Sequence, residues 1–166
     1  MGPDARGAAL VEFALLAPVM VLLFFGTVEV VQAVQAHRKL AHVSAAIGEI
    51  VARERTLGAG EVEDILSAGP AMMAPFPARG LGLRVMSFSA DERGTVRLDW
   101  QAAGPAYAGD ALPGLGGRPV TPGESVIVTD ASYAYTPVFN LPLSRPLTFQ
   151  KRTIHRPRLA RAVELD

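Results

Sequence analysis

The chain has 166 residues, 49% of them apolar, which suits one modest domain plus one long hydrophobic element rather than two full domains. Its 16 basic and 16 acidic side chains cancel, excluding a global field that would draw the protein onto nucleic acid or an acidic surface. With no cysteine, disulfides, thiolate metal sites and a cysteine nucleophile are excluded together, while the compartment stays open. The glycines and prolines fall mostly beyond residue 57, so the first third reads as helix and the remainder as short strands and loops.

From Phe13 to Val28 the run FALLAPVMVLLFFGTV carries no charge, and apolar character extends from Ala8 to about Val34 across Glu12, Glu29 and Gln32. Such a run matches the roughly 20 residues a helix needs to cross the hydrocarbon core. Pro18 predicts a bend rather than an end, because membrane helices satisfy the freed carbonyl locally. The run continues with good helix formers to Gly58 and places Leu40, Val43, Ile47, Ile50 and Val51 on one stripe. One helix of about 45 residues is expected, its second half laid on a soluble domain. Residues 8–36 are then the transmembrane part and 37–57 its continuation, with Glu29 and Gln32 as boundary side chains. Arg6 precedes the span while His37, Arg38, Lys39 and His42 follow it, so the positive-inside rule alone leans toward a cytoplasmic C-terminal side. Val34-Gln35-Ala36 offers a secretory signal peptidase small residues ahead of His37, but the apolar run is too long for a signal h-region and Glu12 interrupts it early.

The most specific signal is Arg6-Gly7-Ala8-Ala9-Leu10-Val11-Glu12-Phe13: a short polar leader, a glycine, four small or apolar residues, then a glutamate and an aromatic. Glycine leaves the backbone at Gly7 unobstructed, and a carboxylate inside a lipid-facing helix ordinarily has a partner. In these residues the chain resembles the type IV prepilin class. The resemblance implies that a membrane prepilin peptidase cuts after Gly7, making residues 1–7 a cytoplasmic leader and Ala8 the new N-terminus. Glu12 and Phe13 become subunit-assembly residues, with Glu12 pairing to the freed α-amine of Ala8 on a neighbouring subunit and setting register as buried polar groups do in coiled coils. The plainer alternative keeps Glu12 at headgroup level, where a carboxylate reaches water at little cost.

Residues 58–166 read as an α+β domain. Glu61 to Ala68 predicts a short helix with Val62, Ile65 and Leu66 inward, stopping at Gly69-Pro70. Leu81 to Ala90 and Thr95 to Gln101 form a hairpin around Asp91-Glu92-Arg93-Gly94, with Val96, Leu98 and Trp100 on one face and Arg97, Asp99 and Gln101 on the other. Gly104 to Gly123 reads as a surface loop, and Thr121-Pro122-Gly123-Glu124 as a type II turn. Strands follow at Ser125 to Tyr135 and Leu147 to Ile154, giving a helix packed on a small antiparallel sheet, a pilin-like arrangement. The stretch ESVIVTDASYAYTPV from Glu124 to Val138 is similar to the tyrosine-rich strand before the C-terminus of TadE-like proteins.

Chemistry is sparse. His37 and His42 are five apart, not at the i, i+4 spacing of paired ligands, and read as interfacial. Gly114-Leu115-Gly116-Gly117 lacks the strand and helix of a phosphate loop, and Asp91, Asp99, Asp110 and Asp130 are scattered. No catalytic residue, metal ligand or cofactor is expected. The basic segment Lys151, Arg152, His155, Arg156, Arg158 and Arg161 suits a solvated edge strand better than a lipid-binding patch, and its lack of interleaved aromatics argues against nucleic acid. The resemblance therefore implies a minor pilin or pseudopilin of the Flp (tight adherence) pilus, single-pass in the bacterial inner membrane with its C-terminal domain extracytoplasmic. Its partners would be the prepilin peptidase, other minor pilins, the major Flp pilin, inner-membrane platform proteins and membrane lipid. The rival is an anchored extracytoplasmic binding module using the loop Gly104 to Gly123 with Tyr107, Tyr133 and Tyr135.

Overall fold

The computed structural model describes residues 5–107, 115, 120–139 and 146–166, the side chains of Ala5 and Arg6 excepted. Helix α1 spans Ala5–Arg53, 49 residues, and runs through Pro18 without ending. At 1.5 Å per residue it is about 73 Å long, far more than a small domain can cover.

Its C-terminal half lies across two strands of a four-stranded antiparallel sheet. The strands are β2 (Leu81–Ala90), β3 (Val96–Ala103), β4 (Ser125–Tyr135) and β5 (Leu147–His155), in the order β3-β2-β4-β5. The expected β2–β3 hairpin forms because Gly94 supplies φ +82° and Asp91 Oδ1 accepts the Arg93 and Thr95 N–H groups. The type II turn is present too: Gly123 has φ +79° and the Glu124 N–H reaches the Thr121 carbonyl at 3.0 Å.

Leu40, Val43, Ile47 and Val51 of α1 are fully buried against Val85, Ile127, Ala131 and Tyr133 of the sheet. Ile50, expected on the same stripe, is 42% exposed. The buried arc turns the other way, toward Ser44 and Gly48, which are small enough to bring the helix backbone onto β4 and β5. A Cβ at Gly48 would stand 2.5 Å from His155 Nδ1 and 2.7 Å from Thr129 Oγ1. Ser44 completes the seam, hydrogen-bonding with the Thr153 hydroxyl at 2.9 Å and donating to the Thr129 carbonyl at 3.2 Å.

Four further expectations need correction. The helix stops at Arg53 instead of continuing to residue 57, because Thr56–Leu57 forms strand β1, paired in parallel with β6 (Glu164–Leu165). Gly69-Pro70 ends α2 (Ala59–Ser67) but also opens a further helical turn, α3 (Gly69–Met72), since proline fits the first turn of a helix. Leu98 and Trp100 face opposite sides of the sheet. A β-bulge leaves Asp99 unpaired between Ser87↔Trp100 and Phe88↔Leu98, so Trp100 joins the core under α1 while Leu98 joins a second apolar cluster with Met86, Phe88, Val126 and Val128. Finally, Tyr133 and Tyr135 are 2% and 3% exposed and form no open surface. Of the loop from 104 to 123, residues 108–114 and 116–119, and with them Asp110, lie outside the described residues.

Candidate functional site on the N-terminal helix

Two halves of one helix have opposite surroundings. From Ala36 onward α1 is the core helix of the domain; before Phe25 it touches almost none of the other described residues. Leu10, Phe13, Leu15, Val19, Leu22 and Phe24 point in all directions around the helix and are 53–70% exposed. No part of the most apolar stretch is buried, which separates it from a core helix of equal length. A helix that is apolar all round and unburied requires another apolar environment, and its length and composition are compatible with a single-pass membrane anchor.

Gly7, Ala8, Glu12 and Phe13 all lie on this free portion and are exposed. No atom of the other described residues stands within 4 Å of where a Cβ at Gly7 would be. Among the described residues Glu12 has neither a hydrogen bond nor an ion pair. Among the described residues, none of these four is brought to the distal domain.

Glu29 behaves otherwise. Expected as a plain boundary residue, it ties the helix to the domain: its carboxylate accepts the Tyr135 hydroxyl, the Val138 N–H at 3.2 Å and the Phe139 N–H at 2.9 Å. Burial, and next to it the Glu29 carboxylate, hold the Tyr135 phenol well above its ordinary range, keeping it a donor. One turn toward the N-terminus, the Phe25 and Phe139 rings pack with centroids 4.8 Å apart. The available signal was an acid in an apolar run together with a tyrosine-rich strand ended by a proline; their pairing across 106 residues is not visible from either alone. Ala36 is fully buried and Ala33 packs beside it, so a cut before His37 would strip Glu29, Ala33 and Ala36 out of the fold.

On the opposite face of the sheet Asp130 is clamped by two arginines. Arg152 reaches it at 2.6 and 2.8 Å and Arg84 at 3.0 Å, with the Arg84 guanidinium 4.5 Å above the Tyr107 ring. Burial pushes the Asp130 carboxyl upward, but Arg152 and Arg84 together outweigh it and hold the group below the usual aspartate range. The basic segment is thus an edge strand and its extension, and among the described residues three of its five arginine and lysine side chains are in ion pairs: Arg152 with Asp130, Arg156 with Glu124 and Arg158 with Glu49.

Residues 7–48 match the family model of TadE-like proteins. No curated protein and no solved structure matches the chain. The TadE-like segment starts at Gly7 and ends at Gly48, where a Cβ would run into His155 and Thr129 of the sheet. It therefore covers both the exposed apolar half of the helix and the residues that seat it, Leu40, Val43, Ser44 and Ile47.

Proposed function

We propose that this protein is a structural, non-catalytic subunit of a Tad-type (Flp) pilus apparatus, a minor pilin or pseudopilin cut by a prepilin peptidase between Gly7 and Ala8. The observation that carries this reading is the coincidence of the TadE-like match with a helix whose N-terminal half is apolar on every side and buried on none. Its orientation is single-pass in the bacterial inner membrane with the α+β domain outside the cytoplasm. The exposed half then serves first as anchor and afterwards as the surface on which subunits, other minor pilins and the major Flp pilin pack beside the inner-membrane platform proteins. Glu12, without a hydrogen bond or ion pair among the described residues, is neutralised by the α-amine of Ala8 on the next subunit, and Phe13 packs beside it.

The test is mass spectrometry of the mature membrane protein together with two variants. The wild type starts at Ala8, whereas Gly7→Leu accumulates as uncut precursor in the membrane. Glu12→Gln is cut normally but loses co-purification with other subunits. A wild-type start at Met1 or at His37 would refute the processing step, and undiminished co-purification of Glu12→Gln would refute the pairing.

A further inference from the structure

We propose that the turn after β4, residues 136–139, is a second membrane contact, seated in the headgroup layer and held there by Glu29, so that the lipid-spanning part of α1 is residues 8–28. The proposal rests on the single-pass reading and adds to it where the bilayer ends and which other part of the chain touches it.

Three observations converge. First, Glu29 is the only acid between Glu12 and Glu49 on α1, and its neighbours Phe24, Val30 and Val31 are 47–63% exposed and apolar. A carboxylate in that setting is costly unless it is hydrogen-bonded, and three donors from the end of β4 and the following turn serve it. The same bonds fix the height of residues 138 and 139 along the helix axis. Second, the turn presents apolar surface continuous with the free part of the helix: Val138 is 64% exposed and the Phe139 ring packs at a tilt against Phe25. Apolar side chains such as these bury at the headgroup–acyl boundary when a polar group holds them at that depth. Third, the length fits. Ala8 to Val28 rises about 31 Å at 1.5 Å per residue, against a hydrocarbon core of about 30 Å. A span of 8–36 would rise about 44 Å and draw Ala33 and Ala36, which pack on the core, into the lipid. The occupant of this patch is therefore the lipid headgroup and glycerol region.

The absence of cysteine makes the test direct, since each introduced cysteine carries the only label. Full-length Val138→Cys, Leu16→Cys and Glu92→Cys are labelled with the fluorophore NBD and reconstituted in phosphatidylethanolamine/phosphatidylglycerol vesicles containing nitroxide lipids with the spin label shallow or deep. Label at position 16 is quenched most by deep nitroxide, label at 138 most by shallow nitroxide with a blue shift, and label at 92, on the β2–β3 turn, by neither. Adding Glu29→Ala to Val138→Cys reduces the shallow quenching and leaves position 16 unchanged, with Trp100 emission confirming that the domain is folded. If position 138 behaves like 92 while 16 stays quenched, the proposal is overturned and the span reading survives. If 138 is blue-shifted only at high protein density and is not quenched by nitroxide lipid, a second copy of the chain is the occupant and the lipid proposal is overturned. Loss of quenching at 16 as well would overturn the span and the proposal together. Quenching at 138 that ignores Glu29→Ala would overturn the role given to Glu29.

Discussion

Replacing Asp130 with alanine should be among the most damaging single changes in the domain. Its carboxylate is the common counter-ion of Arg84 and Arg152, and the two cations differ in their options once it is gone. Arg152, with a side chain 31% exposed, can turn to solvent; Arg84, at 5%, cannot. Breaking a buried pair from one side costs about 3–5 kcal/mol, although Arg84 keeps its contact with the Tyr107 ring. With a urea slope near 2 kcal/mol per molar, that is a midpoint shift of about 2 M. The measurement is urea unfolding of the full chain in detergent micelles, followed by the emission of Trp100, which is half-buried and donates to the Val163 carbonyl at 2.7 Å. Arg84→Met/Asp130→Leu should recover most of the loss, since an apolar pair in place of a buried ion pair is near neutral. The pH dependence has a definite sign. The folded-state carboxyl lies below its unfolded value, so its contribution is complete above about pH 4 and is lost as pH falls through the folded value. Asp130→Asn should flatten that acid limb. A loss below about 1 kcal/mol for Asp130→Ala, or an unchanged acid limb, would refute the account of the clamp.

Two further outcomes follow from the helix–sheet seam. Gly48→Val should cost about 1–3 kcal/mol by overpacking against Thr129 and His155, although valine is the better helix former; the same urea assay reads it, and a stabilised variant would contradict the close approach. His155, whose buried Nδ1 has no hydrogen-bond partner among the described residues, has its imidazole pKa lowered chiefly by burial, opposed by Glu49 and assisted by Arg158. The stability it confers is therefore present above about pH 6.5 and is lost as pH falls through the lower folded-state value. His155→Gln should remove that step from a midpoint-versus-pH curve.

Much of the architecture could be read from local pattern. The long helix, the β2–β3 hairpin, the type II turn at Pro122-Gly123 and the full extent of β4 each announce themselves through period, turn residues or β-branched runs. The misreadings share a cause: contacts distant in sequence decided them. Ile50 matched the hydrophobic period, but the packed arc was chosen by Ser44 and Gly48, whose value is smallness rather than hydrophobicity. Alternation placed Leu98 with Trp100 until one bulged residue, Asp99, reversed the phase. Residues 56–57 looked like the tail of a helix because nothing nearby reveals that residues 164–165 return to pair with them. The likeness to TadE-like proteins was legible because the residues that carry it, from Gly7 through Phe13, are contiguous. Glu29 and Asp130 were not, since each acquires its meaning from partners that only the fold supplies.

The seam between Ser44 and Thr153 joins residues 109 apart, and the sheet order seats α1 on strands that are synthesised last. The helix is complete long before β4 and β5 exist to cover Leu40, Val43 and Ile47. Non-local closure of this kind is slow, so, on the anchor reading proposed above, a nascent chain would hold an apolar flank without a partner while its N-terminal half is already in lipid. Early insertion would then act as a tether, keeping that flank beside the emerging strands and away from other chains.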